Sequence, residues 1–497
     1  MSSQPVIKSL LLARHPCIRI VTDDENEALS QVLEWSHATG LRDVKTWTVT
    51  EGLRDALLEG SPAVEKTTDA AAALLYLAAG MSAPMLVIAL DMAPHLDEAR
   101  AVRAWREAVE KFRRCGGVLV MVDSTDQAPS IVVNSSTRAY LPLPTDEELE
   151  SVLRTTLRFA AQTKPVQVEV TKGEAAAIIA NLRGLTRRQA RQVVLDVISD
   201  DRRLDSADLA GILAAKRRLL QTSGLLEYVE SPTTMDHIGG LAALKRWLFA
   251  RQRGFSEKAR DFGIDPPRGM LLLGVQGAGK SLCAKAVATA WKRPLLRMDP
   301  GVLYDRFVGE SENRLRAALR QAEAMSPIIL WIDEIEKAFA SAASQSTDGG
   351  LSQRMFGTLL TWMQEHRAHV FLVATANNID ALPPELLRKG RFDEIFFVDL
   401  PSAEGRRQIL EIHLRKRRRD PASFEIDRLI DASDGYSGAE IEQAIVSALH
   451  TAFSDNADVT TDRLAQALAA SPPLSVTMAE RIADLRAWAQ GRCVMAE

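Results

Sequence analysis

The chain has 497 residues, 46% of them hydrophobic, a length and composition that predict roughly two to four ordinary globular domains. Its 61 basic and 65 acidic residues leave a net charge of −4, which excludes a global electrostatic pull toward nucleic acid or an anionic membrane. Four cysteines, Cys17, Cys115, Cys283 and Cys493, lack CxxC spacing, which excludes a zinc ribbon or a disulfide framework, and the longest apolar runs are strand-length; a cytoplasmic protein without a transmembrane segment is expected.

From Pro16 to about residue 150, short apolar runs alternate with helical stretches. The pattern predicts strands over 17–22, 44–49, 84–90 and 118–123, separated by helices near 25–39, 69–79 and 96–114. Such alternation predicts a parallel sheet covered by helices on both faces. A mostly helical segment follows to about residue 220, then a polar stretch, 227–236, in which Ser231, Pro232, Thr233 and Thr234 adjoin. There the α/β alternation restarts, runs to about Pro401, and again gives way to helices. The expected divisions are 1–225, a linker at 226–237, an α/β body at 238–401, a helical lid at 402–470 and a C-terminal helix over 471–497.

The second α/β stretch carries the chemistry. Arg268 to Ser281 reads RGMLLLGVQGAGKS, an apolar strand ending in GxxxxGK[ST]. Gly274, Gly277 and Gly279 let the backbone curl until its N–H groups face a phosphate. Val275, Gln276 and Ala278 complete the loop, and the helix opening at Lys280, Ser281 and Leu282 adds the positive end of its dipole. Lys280 is expected to reach the β/γ-phosphates of a nucleotide and the Ser281 hydroxyl to ligate Mg²⁺. Some way downstream, the run 328–332 ends in Asp333 and Glu334, two carboxylates at the C-terminal edge of a parallel sheet, where ligands of such sheets bind. Asp333 suits the Mg²⁺ shell, and Glu334 suits orientation and deprotonation of an attacking water. Another strand, 370–375, leads to Asn377, whose neutral amide is suited to polarise the same water; a strand-end Asn also serves as an ordinary turn residue. ATP and Mg²⁺ are the expected cofactors.

Internal repetition links the two halves. AYLPLPTDEELESVL from Ala139 parallels FFVDLPSAEGRRQIL from Phe396, NLRGLTRRQARQ from Asn181 parallels SDGYSGAEIEQA from Ser433, and PMLVIALD from Pro84 parallels PIILWIDE from Pro327. Two copies of one α/β-plus-lid module are expected, with two unrelated α/β domains as the alternative. The copies are chemically unequal. Where the first should carry its P-loop, the sequence reads DDENEAL, whose carboxylates repel a triphosphate, so the first copy is not expected to bind nucleotide.

Taken in order, DHIGGLAALK at Asp236, GVQGAGKS at Gly274, FVGESE at Phe307, LWIDEIEK at Leu330, ATANNIDALPPELLRKGRFD at Ala374 and GYSGAEIEQA at Gly435 make residues 236–453 resemble the AAA ATPases in the narrow sense, the clade of FtsH, katanin and spastin. With its P-loop-less first half and the ending PLSVTMAERIADLRAWAQGR, the whole chain resembles a bacterial and plastid AAA family. The fold class this implies is α/β: a P-loop AAA+ module, parallel sheet plus helical lid, preceded by a degenerate AAA-like α/β module without a P-loop. The resemblance implies that Arg388 and Arg391 are arginine fingers reaching the γ-phosphate of the neighbouring subunit in a homo-oligomer, a hexamer built with ATP. It implies that Asn377 is the sensor residue and that His413 lies near the adenine, a lone helical His being otherwise a packed or solvated residue. Gly438 and Ala439 stand where other clades carry a sensor arginine. Phe307 and Val308 fall where relatives carry the pore loop that grips an extended polypeptide, the alternative being a core position at a helix end; the polar stretch 341–350 resembles a second loop facing that channel. No HExxH follows the ATPase, so the zinc protease activity of FtsH is not expected.

The expected activity is ATP hydrolysis that remodels, unfolds or disassembles a protein client through a central pore. Two other readings use the same engine. A regulatory scaffold is disfavoured by the retention of Glu334, Asn377 and both arginines. A nucleic-acid motor is disfavoured by the acidic balance, and the basic run Arg415 to Arg419 sits where a helix end takes a solvated cap.

Overall fold

The computed structural model describes residues 6–497 except 23, 59, 126, 200, 206–207, 224–225, 231–232, 256, 300–309, 338–350 and 389. The chain divides into two compact units, Met1–Thr163 with Leu185–Leu195, and Lys164–Gly184 with Asp196–Glu497.

In the first unit, β1 (Cys17–Val21), β2 (Val44–Thr48), β3 (Gly52–Asp55), β4 (Leu86–Leu90), β5 (Val118–Asp123) and β6 (Thr137–Ala139) form one sheet in the order β3-β2-β4-β5-β1-β6. All pairings are parallel except that of β3 with β2. The central strands β4 and β5 are buried along their whole length, as their unbroken apolar sequence requires of strands covered on both faces. Helices Ala70–Gly80 and Ala99–Cys115 close one face around Trp47, Trp105 and Phe112, while Val6–Leu12 and Glu25–Ser36 close the other.

In the second unit, β7 (Gln167–Val168) and β8 (Arg203–Leu204) form a small parallel ladder. The main sheet takes β9 (Glu227–Val229), β10 (Gly269–Gly274), β11 (Leu295–Met298), β12 (Ile328–Ile332), β13 (Val370–Ala376), β14 (Glu394–Val398) and β15 (Val494–Met495), in the order β15-β14-β10-β13-β12-β11-β9. Setting aside its edge strands, this sheet runs β14-β10-β13-β12-β11, and the first runs β6-β1-β5-β4-β2. Each is the order 5-1-4-3-2 when its parallel strands are numbered along the chain. In each, an antiparallel strand, β3 or β9, lies beside the second.

Three segments read from sequence take particular places here. Residues 226–237, expected as a linker, supply β9, and Tyr228 packs onto the core beneath the sheet. Of the helical stretch before it, Lys164–Gly184 and the residues from Asp196 onward also belong to the second unit, whereas the residues up to Thr163 and Leu185–Leu195 belong to the first. Arg183 donates to the Ser326 carbonyl and Gln321 to the Gly184 carbonyl, both at 3.3 Å, and a Cβ on Gly184 (φ +82) would stand 2.1 Å from Met325 Cγ. The C-terminal residues form a helix, Ala479–Ala489, and then turn back as β15 alongside β14, with Glu497 accepting from Ser402 Oγ at 2.5 Å.

The lid comprises Ala403–Lys416, Ile426–Ala432, Gly438–Ser454 and Thr461–Ala469 around Leu410, Leu414, Ile441 and Ile445. Among the described residues no helix is long and apolar enough to cross a membrane.

Candidate active site

β10 is apolar and buried throughout, and the chain leaves its C-terminal end as a loop, Val275 to Gly279, that opens the helix Lys280–Trp291. Gly274 has φ +148 and passes so close to β14 that a Cβ would stand 2.0 Å from the Val398 carbonyl oxygen; Gly279, at φ +97, is the last residue before the helix. Glycine is required at both, and the loop takes the curled form whose N–H groups can surround an anion. Lys280 is buried, and its ammonium donates to the carbonyls of Gly274 (2.9 Å) and Val275 (2.7 Å). Burial pulls its pKa down to about 8, opposed by the fields of Glu336, Asp333 and Glu334. Gln276 and Leu282 are exposed, while Ala278 and Ser281 are half-buried.

β13 lies next to β10 and β12 next to β13, so the C-terminal ends of both carry their polar residues to this loop. Ser281 Oγ donates to Asp333 Oδ1 at 3.0 Å. Thr375 Oγ1 donates to the same oxygen at 2.5 Å and accepts the Glu334 N–H at 3.0 Å. Glu334 leaves the strand at φ +50, a costly backbone for a non-glycine residue that persists only where its surroundings over-determine it. Its carboxylate accepts the Asn377 side-chain N–H at 2.9 Å and pairs with Lys337. The Asn377 backbone N–H donates to Glu336 Oε1 at 2.9 Å, and burial raises the Glu336 pKa. Sequence reasoning missed Thr375 and Glu336. Their signals were present: Thr375 is the one polar residue in VFLVATA, and Glu336 is a third acid within four residues.

The donors fit the expected cofactors. A glycine loop, a helix N-terminus and an ammonium suit the phosphates of a nucleotide, and a hydroxyl beside a carboxylate is the hard-oxygen pair that suits Mg²⁺. An acid held by a neutral amide at the same edge suits proton removal from water.

The lid touches the loop directly. Ala439 N–H donates to the Gly277 carbonyl at 3.1 Å, and a Cβ on Gly277 would meet Ser437 Oγ at 3.0 Å and Ala439 Cβ at 3.1 Å. Gly438 is thereby brought in as well, close to the Gly277 carbonyl and to Ile409. Ile409 also packs against Gly239, and His413 lies one helical turn further along the same face. His413 Nδ1 is 3.2 Å from Glu442 Oε1, and burial lowers its pKa against the pull of that carboxylate.

Arg388 and Arg391 are placed differently. The Asp393 N–H donates to the Gly269 carbonyl, the Asp393 carboxylate accepts from the N–H groups of Arg268 and Gly269, and the Arg268 guanidinium reaches the Gly390 carbonyl. The arginine-bearing loop therefore sits at the N-terminal end of β10, whereas the phosphate loop leaves its C-terminal end. The six residues of β10 separate them, about 17 Å at the usual strand rise and beyond the reach of an arginine side chain. Arg388 is exposed and Arg391 half-buried, and neither forms an ion pair among the described residues. Phe307, Val308 and the stretch 341–350 lie outside the described residues.

This fold and edge chemistry define a P-loop ATPase with a helical lid. Residues 270–400 match the ATPase family associated with various cellular activities (AAA), and residues 3–138 and 147–223 match the N-terminal and second domains of SpoVK-like AAA ATPases. The chain is 35% identical to the AAA domain-containing protein ycf46 of Guillardia theta over 98% of this chain and 95% of that protein. It is 36% identical to the ycf46 protein of Pyropia yezoensis over 97% and 96%, and 36% identical to the proteasome-activating nucleotidase of Aeropyrum pernix over 41% and 50%. The chain belongs to the AAA ATPase family and hydrolyses ATP.

Proposed function

We propose that the chain assembles into a ring, a hexamer, whose second unit hydrolyses Mg-ATP at subunit boundaries and remodels a protein client through a central pore. The observation that carries this reading is the length of β10 between Arg388, Arg391 and the phosphate loop of their own chain. Arginines so placed serve the site of an adjacent copy, so a complete site needs two chains.

Within such a site, Lys280 binds the β/γ-phosphates, and Ser281 and Asp333 would hold Mg²⁺, which neutralises charge on the transferred phosphoryl group. Glu334, oriented by Asn377, takes a proton from the attacking water, and the fingers of the adjacent copy stabilise the transition state, a contribution of about three to five orders of magnitude in rate. Gly438 and Ala439 let the lid follow the loop, and His413 faces the adenine side. Phe307 and Val308 are assigned to the client-gripping loop.

The first unit is read as a degenerate copy of the same module that binds no nucleotide and instead recognises the client or braces the ring. The shared strand order supports this, as does the short link between β1 and its helix, residues 22–24 in place of Val275–Gly279. A relative whose name ties it to proteasome activation supports a protein client. Four unpaired cysteines support a reducing, cytoplasmic setting.

Light scattering of Glu334→Gln with ATP and Mg²⁺ tests assembly: about six chains per particle is expected, and a particle of one chain refutes it. Unfolded casein should stimulate turnover of the unmodified chain, and stimulation by single-stranded DNA alone would favour the motor reading instead.

A further inference from the structure

We infer that Glu336 is a positioning residue for hydrolysis: by accepting the Asn377 backbone N–H, it holds the Asn377 amide on Glu334 and so aims the carboxylate that activates water. The inference rests on the roles given above to Glu334 and Asn377.

Asn377 is the first residue beyond β13, where the neighbouring strand β12 has already ended and Glu334 has turned away at φ +50. A main-chain N–H in that place needs an acceptor. Glu336, in the first helical turn after β12, supplies it at 2.9 Å. The residue is only 6% exposed, and among the described residues its second oxygen, Oε2, is buried without a hydrogen bond. A buried acid with one idle oxygen costs stability that an apolar residue would avoid, so the bonded oxygen is where its value lies.

The first unit shows what happens without it. There Asp91 follows β4 at φ +49, the counterpart of Glu334 in the PMLVIALD and PIILWIDE parallel, and Ser124 follows β5 as Asn377 follows β13. Two residues past Asp91 stands Ala93, not an acid. The Ser124 N–H and Oγ both donate to Asp91 Oδ1, each at 2.9 Å, so the sheet-end N–H ties up the strand-end carboxylate itself. In the second unit Glu336 takes that N–H. Glu334 is left with one oxygen on the Asn377 amide and the other beside exposed Lys337, open to water.

Steady-state hydrolysis of ATP with Mg²⁺ by the full chain separates this role from others. Glu336→Ala and Glu336→Asp, which withdraw the acceptor, should lower kcat about 10- to 100-fold and leave KM within about threefold, because Lys280 and the glycine loop are untouched. Glu336→Gln keeps an acceptor oxygen and should stay within about threefold of the unmodified chain; should Glu336→Ala fail to fold, the Asp and Gln pair carries the test. In an Asn377→Ala background, Glu336→Asp should add less than about a twofold loss. A slow Glu336→Gln beside a fast Glu336→Asp would assign a charge role toward Lys280 and overturn the inference, as would a full multiplicative loss on a slow Asn377→Ala background. An Asn377→Ala chain that hydrolyses ATP at the unmodified rate would instead overturn the reading of Asn377 beneath it.

Discussion

The proposed action of Arg388 and Arg391 across a subunit boundary makes a quantitative prediction for mixed assemblies. Glu334→Gln removes the base yet keeps Arg388 and Arg391; the double variant Arg388→Ala, Arg391→Ala keeps its own Glu334 and offers no fingers. Each alone should lose about a thousandfold or more in turnover, from the loss of the base in one and of the fingers in the other. The six-residue span of β10 prevents either chain from completing its own site. In a random equimolar mixture a site works only where a chain with Glu334 meets a neighbour with fingers, one half times one half, or about a quarter of all sites whatever the ring size. Activity should therefore rise from background to about a quarter of the unmodified level, tracing a parabola as one variant replaces the other at constant total concentration. A coupled ATPase assay reads the curve, and native mass spectrometry of differently tagged chains verifies mixing. Verified mixed assemblies that remain at background refute the trans placement.

Other expectations follow from single contacts. Gly274→Ala drives a Cβ to 2.0 Å from the Val398 carbonyl, so about 3 kcal/mol or more of destabilisation is expected with loss of nucleotide binding; a melting temperature equal to that of the unmodified chain contradicts it. Thr375→Val keeps the volume but releases Asp333 and leaves the Glu334 N–H without its acceptor, so kcat should fall about tenfold and fold stability by about 1–3 kcal/mol, and an unchanged kcat shows that Thr375 does not align the acids. Lys216 is buried, and burial, aided by Arg183, lowers its pKa to about 7 from an unfolded-state 10.5. Between those values the unfolded chain binds the extra proton, so stability rises with pH, by at most about 1.4 kcal/mol per unit. Lys216→Met should be more stable at pH 7 and show a flatter rise toward pH 9 in denaturant midpoints; lower stability at pH 7 with an unchanged slope would refute this.

The glycine loop and the paired acids were legible because their chemistry demands particular residue types at particular spacings along the chain. The alternation of apolar runs with helices was enough for two parallel sheets, since β4, β5, β10, β12 and β13 are buried throughout and leave long unbroken signals. Short edge strands leave none: β9 has three residues inside a polar stretch, and β15 has two. The division into units escaped as well, because it depends on Gly184 meeting Met325 across more than a hundred residues of chain. Thr375 and Glu336 act through bonds between different strand ends, about 40 residues apart, which no local pattern records. The distance of Arg388 and Arg391 from their own phosphate loop follows only from topology, through Asp393 pairing with the start of β10 and not its end.

The contrast between the two strand-to-helix turns leads to a stoichiometry. After β10 the helix N-terminus opens at Gly279 with no side-chain cap hydrogen bond, the form proposed above to take a phosphate. After β1 the corresponding helix, Glu25–Ser36, is capped by its own chain: Asp24 Oδ1 accepts the Glu27 N–H, and Glu25 and Glu27 fill the first turn. A phosphate brought there would displace a carboxylate from the dipole and meet two more, each repelling a unit charge by about 1 kcal/mol at 4 Å in water and about 4 kcal/mol in a partly buried site. One ATP per chain is therefore expected for Glu334→Gln in equilibrium dialysis with labelled nucleotide, and none for Lys280→Ala, because that lysine belongs to the only phosphate loop in the sequence. Two nucleotides per chain, or one retained by Lys280→Ala, would show that the first unit binds ATP by means other than a glycine loop, and the acid-capped turn would then have been given the wrong role.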